Sequence, residues 1–430
     1  DWSRFRAIAD AVGAYLLADV SHIAGLIAGK AIPSPVGHAH VITFTTHKTL
    51  CGPRGACILT TDSALAKKID KAVFPGEQGG PHVHVFAALA TTFKIAATAE
   101  FQQLQKQIIQ NCVALTAQLK ARGLRIPFNG TDSHLGNIDC KTIVGPDGTT
   151  LSGDMAARIL DIAGIVLNRN TIPGDKTALN ASGIRYGTPW MTQRGLTAEN
   201  MREIGNLIAD LLQAITPYTI EMRKGPSPRA KIDFNVLEQT KIKVRNLCAS
   251  AATDLPHGNS GYPHFYYLDD QPRFKGKLVS LDLKGDRVLY FVNYCFSSDV
   301  EALQNGQTQP TSLITPLKKV EGSLTRVEDN LYRFSFQAEN FGLAATFLRA
   351  LSDGYIAFDN DLPARIPGPV VVEESELVAP MPSSGKEMAN NKAWYIGITN
   401  SNGNALPSFK WEEKSSNELM RTPLFEDHKR

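Results

Sequence analysis

Cysteine is scarce and unpatterned. Only Cys51, Cys57, Cys112, Cys140, Cys248 and Cys295 occur in 430 residues. They form no CxxC pair and no His-flanked metal spacing, so no metal site is expected and free thiols suit a reducing, cytoplasmic compartment. No uninterrupted apolar run is long enough to span a bilayer, and no secretion signal is present, so neither a membrane nor export is expected. The net charge is only +3, without a basic block or a regular Arg/Lys stripe, which argues against nucleic acid as the main partner. There is no short repeat and no low-complexity tract. What remains is 43% hydrophobic and 20% charged, the composition of a protein that buries substantial cores. The length predicts two or three domains. Both ends, Asp1 on a helical pattern and Arg430 at the start of a new segment, read as cuts.

Alternating helix and strand signals open the chain. Phe5, Ile8, Ala9 and Val12 share a helical face that Gly13 stops. The run 14–18 then predicts a short, fully buried strand, which favours a parallel sheet. Val41-Ile42-Thr43-Phe44 and Ala56-Cys57-Ile58-Leu59 predict two more strands, followed by a helix from Leu65 to Val73. A long helical pattern follows Pro81. Phe86, Leu89 and Phe93 share one face, then Leu104, Ile108, Cys112, Leu115 and Leu119, and Gly123 ends it. Further helices are predicted around Met155, Ile159 and Ile162, and after the N-cap Thr197 with Met201, Ile204, Ile208, Leu211 and Ile215 on one face. Pro226-Ser227-Pro228 reads as a break before a helix through Val244, Leu247 and Cys248. Beyond Leu255 the character turns β-rich. Strands are predicted at 265–267, 278–281, 288–292 and 332–336, with a helix at 344–351. Residues 363–392 read as a loose connection.

Two strand ends carry the chemistry. Asp19 sits where the first strand runs out, and His22 follows three residues later. Ligands of open α/β sheets gather at the carboxyl ends of strands. A carboxylate there can pair with the protonated ring nitrogen of pyridoxal phosphate. The second strand leads into Thr45-Thr46-His47-Lys48-Thr49-Leu50. Lys48, flanked by hydroxyls and imidazole, fits a Schiff-base lysine whose amine nearby cations and desolvation would keep nucleophilic. Each group has an ordinary alternative: a turn aspartate, a capping histidine, a solvated loop lysine. Their combination is what speaks for a cofactor site.

The combination resembles serine hydroxymethyltransferase. The resemblance lies in Asp19-Val20-Ser21-His22-Ile23-Ala24-Gly25-Leu26, Thr45-Thr46-His47-Lys48-Thr49-Leu50 and Gly52-Pro53-Arg54-Gly55. It extends to Phe74-Pro75-Gly76-Glu77-Gln78-Gly79-Gly80-Pro81, Gly130-Thr131-Asp132-Ser133-His134, Asn168-Arg169-Asn170-Thr171-Ile172-Pro173 and Ser182-Gly183-Ile184-Arg185-Tyr186-Gly187-Thr188-Pro189. It covers about 1–255. It implies an α/β chain with the fold of type I pyridoxal-phosphate transferases. Residues 1–122 would be part of the large domain with an interdomain helix, and 123–255 the small C-terminal domain. An α+β, β-rich domain would follow at 256–362, then a linker at 363–419.

The resemblance also assigns roles. Lys48 would hold the cofactor covalently, Asp19 would pair with its pyridine nitrogen, and His22 would contact the ring and its phenolic oxygen. Thr45 and His47 would line the pocket, with Arg54 nearby. Gly79 and Gly80 would offer backbone N–H groups to the phosphate of a neighbouring subunit, making a homodimer. Arg185 would clamp the substrate carboxylate through a two-point fork, and Asn170 would contact the folate pterin. The implied reaction moves the serine hydroxymethyl carbon to tetrahydrofolate, giving glycine and 5,10-methylenetetrahydrofolate. The family's N-terminal portion, with its general-base glutamate, has no counterpart here, so this chain alone is expected to bind cofactor poorly and turn over little. The motif Arg421-Thr422-Pro423-Leu424-Phe425-Glu426-Asp427-His428 is similar to the opening of the glycine-cleavage aminomethyltransferase, with 420–430 its first residues. Ser297-Ser298-Asp299-Val300, Asn305-Gly306-Gln307 and 311–316 faintly resemble that family's folate-binding fold. The alternatives are another enzyme of the same fold, such as a threonine aldolase, and a non-catalytic scaffold.

Overall fold

The computed structural model describes residues 1–223, 225–251, 266–358 and 361–378. The chain separates into two compact units, Asp1–Ile138 with Arg185–Asn206, and Asp139–Ile184 with the described residues from Leu207 on. Among the described residues no helix is long and apolar enough to cross a membrane.

The first unit opens with helix Trp2–Ala11, whose first turn is capped by the Asp1 carboxylate accepting from the Arg4 N–H at 3.3 Å. Only Ala9 of its apolar face is buried, while Phe5, Ile8 and Val12 are exposed. A three-stranded sheet follows in the order β1 (Leu17–Asp19), β2 (Val41–Thr45), β3 (Ala56–Leu59). β1 runs parallel to β2, but β3 is antiparallel to it, so the sheet is mixed where an all-parallel one was expected. The first strand also differs from the expected buried run at 14–18. Leu16 is drawn off before it, its N–H donating to His40 Nδ1 at 2.8 Å. β1 is an edge strand with one neighbour, so its side chains alternate: Leu17 and Asp19 exposed, Ala18 buried. The strand leaves Asp19 open to solvent at its carboxyl end.

Helix Ser63–Lys71 starts two residues before the expected Leu65, because Asp62 caps it through the Ala64 and Leu65 N–H groups at 2.7 and 3.0 Å. The long pattern after Pro81 splits into helices Val83–Ala96 and Ala99–Ala121, since Thr98 caps the second through the Phe101 N–H at 3.2 Å. Phe101, Ile108, Cys112, Leu115 and Leu119 form the buried stripe of Ala99–Ala121. Residues 185–206 are tied to that helix by buried polar bonds. The Thr188 hydroxyl donates to Ile108 O at 2.7 Å, Asn111 Nδ2 donates to Thr192 Oγ1 at 2.9 Å, and the Thr116 and Tyr186 hydroxyls lie 2.6 Å apart. These bonds hold the strand that carries Arg185.

In the second unit, Ile215 opens a strand where a helix face was expected. Ile215–Met222 pairs antiparallel with Gly225–Ile232, so Pro226-Ser227-Pro228 lies inside a hairpin and is no break. Each strand of a two-stranded hairpin has an unpaired edge, where proline's missing N–H costs little. Helix Phe234–Ser250 follows, capped by Asp233. Five strands then form an antiparallel sheet in the order Thr308–Ile314, Lys319–Glu328, Leu331–Gln337, Leu278–Lys284, Val371–Ser375. Leu281, Leu324, Phe334 and Phe336 are completely buried, and Arg333 grips Asp282 across two strands at 2.7 and 3.0 Å.

Three expectations fail in this region. Val288–Cys295 is a helix where a strand was expected at 288–292, because a run apolar on every side carries no period to distinguish the two. Tyr266 and Tyr267 stand outside any strand and lead into a turn, and Phe265 lies outside the described residues. Val371–Ser375 forms an edge strand inside the expected loose connection; its remainder from 379 on, like the motif at 421–428, lies outside the described residues. Ile232 N–H donates to Tyr355 O at 2.8 Å, and Lys231, 2% exposed, donates to Ala364 O at 2.9 Å. The hairpin thus packs with the β-rich part. Leu255 itself lies outside the described residues.

Candidate active site

The site is built where β1 and β2 end. Asp19 Oδ1 accepts from the Ser21 N–H at 3.0 Å and the Ser21 hydroxyl at 2.5 Å. The same Ser21 hydroxyl accepts from the Thr45 N–H at 3.2 Å, and Thr45 Oγ1 donates to Ser21 O at 3.2 Å. One serine therefore ties the two strand ends together. The Ser21 hydroxyl, then its N–H, and further the Lys48 and His22 charges hold the Asp19 carboxyl below the usual carboxylate range. Asp19 is ionised at neutral pH.

The loop bearing Lys48 is closed on itself and clamped from outside. Thr46 is fully buried and donates to Pro53 O at 2.6 Å, while its backbone accepts from Gly52 N–H at 2.8 Å. Lys48 O accepts from Cys51 N–H at 2.9 Å, and Cys51 takes the left-handed backbone conformation at φ 63°. Thr49 Oγ1 donates to His22 O at 2.9 Å and accepts from Gly25 N–H at 3.0 Å. Buried Gln105 of the long helix donates to Thr49 O at 3.0 Å. Helix Ala24–Ala28 approaches so closely that a Cβ on Gly25 would stand 2.0 Å from Thr49 O. Gly25→Ala must therefore push the loop away. We expect a loss of about 3 kcal/mol or more, read as a lower urea midpoint; an unchanged midpoint would remove the clamp from this account.

His22 and Arg185 complete the cluster. The His22 imidazole is pushed below its ordinary value by burial first and then by Lys48 and Arg185, against a smaller pull from Asp19. Carboxylate, amine and guanidinium therefore all lie within electrostatic reach of the His22 imidazole, in a single unit. His22 stacks on His134, ring centroids 5.8 Å apart and planes 25° from parallel. Burial first, then His22 and Arg185, push His134 down to about 4. Both rings are neutral at pH 7.

That depression has a sign. Between about 4 and 6.5 the unfolded chain binds a proton at His134 that the folded chain refuses, so stability rises with pH across the window and is lost as pH falls through it. Between pH 7 and 4.5 the wild type should lose about 2 kcal/mol more than His134→Gln in urea unfolding. Parallel losses would show that His134 is not buried neutral.

The other predicted positions are placed as follows. His47 is half-buried, with Nδ1 enclosed and without a hydrogen-bond partner among the described residues. Arg54 is exposed. Gly79 and Gly80 lie in an exposed stretch after Glu77, and among the described residues no atom beyond their chain neighbours stands within 4 Å of where their Cβ would be. Asn170 belongs to the second unit, where its Nδ2 donates to Thr171 O at 2.9 Å. Ser21, Thr49, Gln105 and His134 were missed as parts of the site. Ser21 was legible, because Asp-x-Ser at a strand end is a turn that turns the carboxylate's own neighbour into its donor. Gln105 was not, since a polar residue on a buried helical stripe gives no sign of its distant partner.

The serine hydroxymethyltransferase family profile matches residues 1–208. Over those residues the chain is similar to serine hydroxymethyltransferases. The serine hydroxymethyltransferase of Nostoc punctiforme is 49% identical over 213 residues, 49% of this chain and 48% of the relative. That of Wolbachia pipientis wMel is 48% identical over 251 residues, 58% of this chain and 55% of the relative. That of Rhizorhabdus wittichii is 45% identical over 249 residues, 58% of this chain and 53% of the relative. The chain spans about half the length of the curated relatives it matches. The Asp19, His22, Lys48 and Arg185 cluster lies entirely within the matched residues.

Proposed function

We propose that this chain supplies the lysine-bearing part of a glycine hydroxymethyltransferase, which moves the serine hydroxymethyl carbon reversibly to tetrahydrofolate and gives glycine and 5,10-methylenetetrahydrofolate. The observation that carries the reading is the cluster itself: Asp19, His22 and Lys48 at two adjacent strand ends, with Arg185 in reach of the same imidazole. The residues fit pyridoxal phosphate. An ionised carboxylate faces solvent at a strand end, an amine sits on a clamped loop beside it, and His47 Nδ1 is enclosed with no hydrogen-bond partner among the described residues.

When bound, pyridoxal phosphate supplies an electron sink for charge developing on the substrate's α-carbon. Asp19 would keep a proton on the pyridine nitrogen, and Ser21 would hold that carboxylate ionised and aimed. Lys48 would anchor the cofactor, and His22, neutral, would exchange a hydrogen bond with the phenolic oxygen. Thr45 and His47 would line the pocket beside Arg54, and Arg185 would fix the substrate carboxylate. Gly79 and Gly80 would serve the phosphate of a partner subunit in a homodimer, a role to which the open space around them lends support. Asn170 would meet the folate.

In the same reading the cytoplasmic protein is bifunctional, its β-rich part and the residues from 420 on belonging to an aminomethyltransferase-like module that also handles tetrahydrofolate. The test is formation of glycine from serine by the full-length protein. Dependence on added tetrahydrofolate is the expected result. Folate-independent cleavage of threonine alone would favour an aldolase, and neither reaction would leave the scaffold reading.

A further inference from the structure

His134 was assigned no task above, yet it is the most completely enclosed titratable side chain of the cluster. Its ring is 4% exposed and lies nearly parallel to that of His22. Its backbone is anchored twice over: His134 O accepts from Thr188 N–H at 3.0 Å, and Thr188 Oγ1 is itself bonded to Ile108 O at 2.7 Å. Its Nδ1 lies 3.0 Å from Ser133 Oγ. His22, by contrast, is half-buried, and its backbone carbonyl accepts from the Thr49 hydroxyl at 2.9 Å. Helix Ala24–Ala28, which follows His22, holds only the main chain. Something must set the plane of the ring.

We infer that His134 is a positioning residue, a rigid neutral platform that fixes the plane of the His22 imidazole beside Arg185. The inference rests on the cofactor reading only for what His22 would contact; the stack itself is a property of the chain. An aromatic partner at this distance restricts the His22 ring to rotations that preserve the offset stack. The platform must also be uncharged. The groups that face the pair are Ser133 beside His134, Arg185 from the strand Gly183–Gly187 acting on both rings, and Lys48 and Asp19 acting on His22. A protonated His134 would add a cation next to Arg185 with one carboxylate to answer three positive groups. Burial prevents this at neutral pH. Below about pH 4 protonation of His134 would open the stack and release His22.

The experiment uses the full chain with carbon-13-labelled histidine, the His22 ring resonance being assigned by its loss in His22→Gln. In His134→Ala the His22 titration is expected to move toward the ordinary imidazole value by about half a pH unit or more. In His134→Phe, which keeps a flat ring that cannot titrate, it should stay where the wild type has it. An unmoved His22 in His134→Ala, or a His134→Phe indistinguishable from His134→Ala, overturns the platform. Should His134→Ala fail to fold by circular dichroism, His134→Gln replaces it, an amide of similar reach without an aromatic face. A second readout is borohydride-fixed cofactor at Lys48 at subsaturating pyridoxal phosphate. It should fall about tenfold in His134→Ala and be restored in His134→Phe; equal fixation in wild type and His134→Ala also counts against the platform. If even the wild-type full-length protein fixes no cofactor, the cofactor reading fails, while the titration arm still decides what His134 does.

Discussion

Lys48→Ala is expected to abolish covalent retention of pyridoxal phosphate while leaving the fold intact. The two outcomes separate because the loop does not depend on the side chain. Lys48 contributes its carbonyl to the Cys51 N–H, and the clamps on either side run through Thr46, Thr49 and Gln105. Removing one half-buried amine should therefore cost little stability. The loss of cofactor, in contrast, should be complete after borohydride reduction and gel filtration, because Lys48 is the lysine whose charge acts on both Asp19 and His22. The Asp19 carboxyl also loses an attractive cation, so its titration should rise slightly, with Ser21 still holding it below the usual range. The check is a peptide map of the reduced full-length protein. A labelled peptide that contains another lysine, or equal labelling in Lys48→Ala, would transfer the role elsewhere.

What could be read from the sequence followed from how far each signal depends on neighbours. The strands at 41–45 and 56–59 and the helices at 153–162, 198–213 and 234–250 were legible, because capping residues and apolar periods are local. The edge position of β1 was not legible. Whether Leu17 is covered depends on what pairs beside it, and the string 14–18 is apolar in either case. Val288–Cys295 misled for a related reason: a segment buried on all sides has no polar face to reveal its period. Pro226 and Pro228 read as a break because proline is excluded from central strands, a rule that a two-stranded hairpin escapes.

At the site the chemistry was more legible than the support. Asp19, His22, Lys48 and Arg185 carry distinctive functional groups in distinctive strings, and the structure brings them together. Thr49, Gln105 and His134 act through contacts up to 112 residues away in sequence, between His22 and His134. Asn170 marks the opposite limit. Its string was recognisable, but it belongs to the second unit, and its role is a proposal for the folate arm of the reaction.

Arg185→Lys is expected to weaken serine binding by about ten- to a hundredfold, roughly 1.4–2.8 kcal/mol, without changing cofactor content. Arg185 sits in the strand Gly183–Gly187, between residues whose own anchors do not involve it. Tyr186 meets Thr116, and Thr188 reaches Ile108 O. The backbone is therefore a fixed base from which the guanidinium fork reaches a carboxylate through two parallel charge-assisted bonds. Lysine keeps the charge but offers a single ammonium, so one of those bonds, worth about 1.5–3 kcal/mol, is lost. Arg185→Ala removes the charge as well and should bind serine more weakly still. The two variants also differ at His22. Arginine is one of the two cations that depress that imidazole, so His22 should titrate nearer its ordinary value in Arg185→Ala and stay low in Arg185→Lys, where a cation remains. Cofactor content should hold in both, because Asp19 is held by Ser21, and Ser21 by Thr45, through bonds that do not involve Arg185. The measurements are the serine dependence of the bound cofactor's absorbance in the full-length protein, cofactor content after reduction, and the His22 titration. Normal serine binding in Arg185→Lys, or a loss of cofactor in its place, would show that Arg185 shapes the cofactor pocket and does not clamp the substrate.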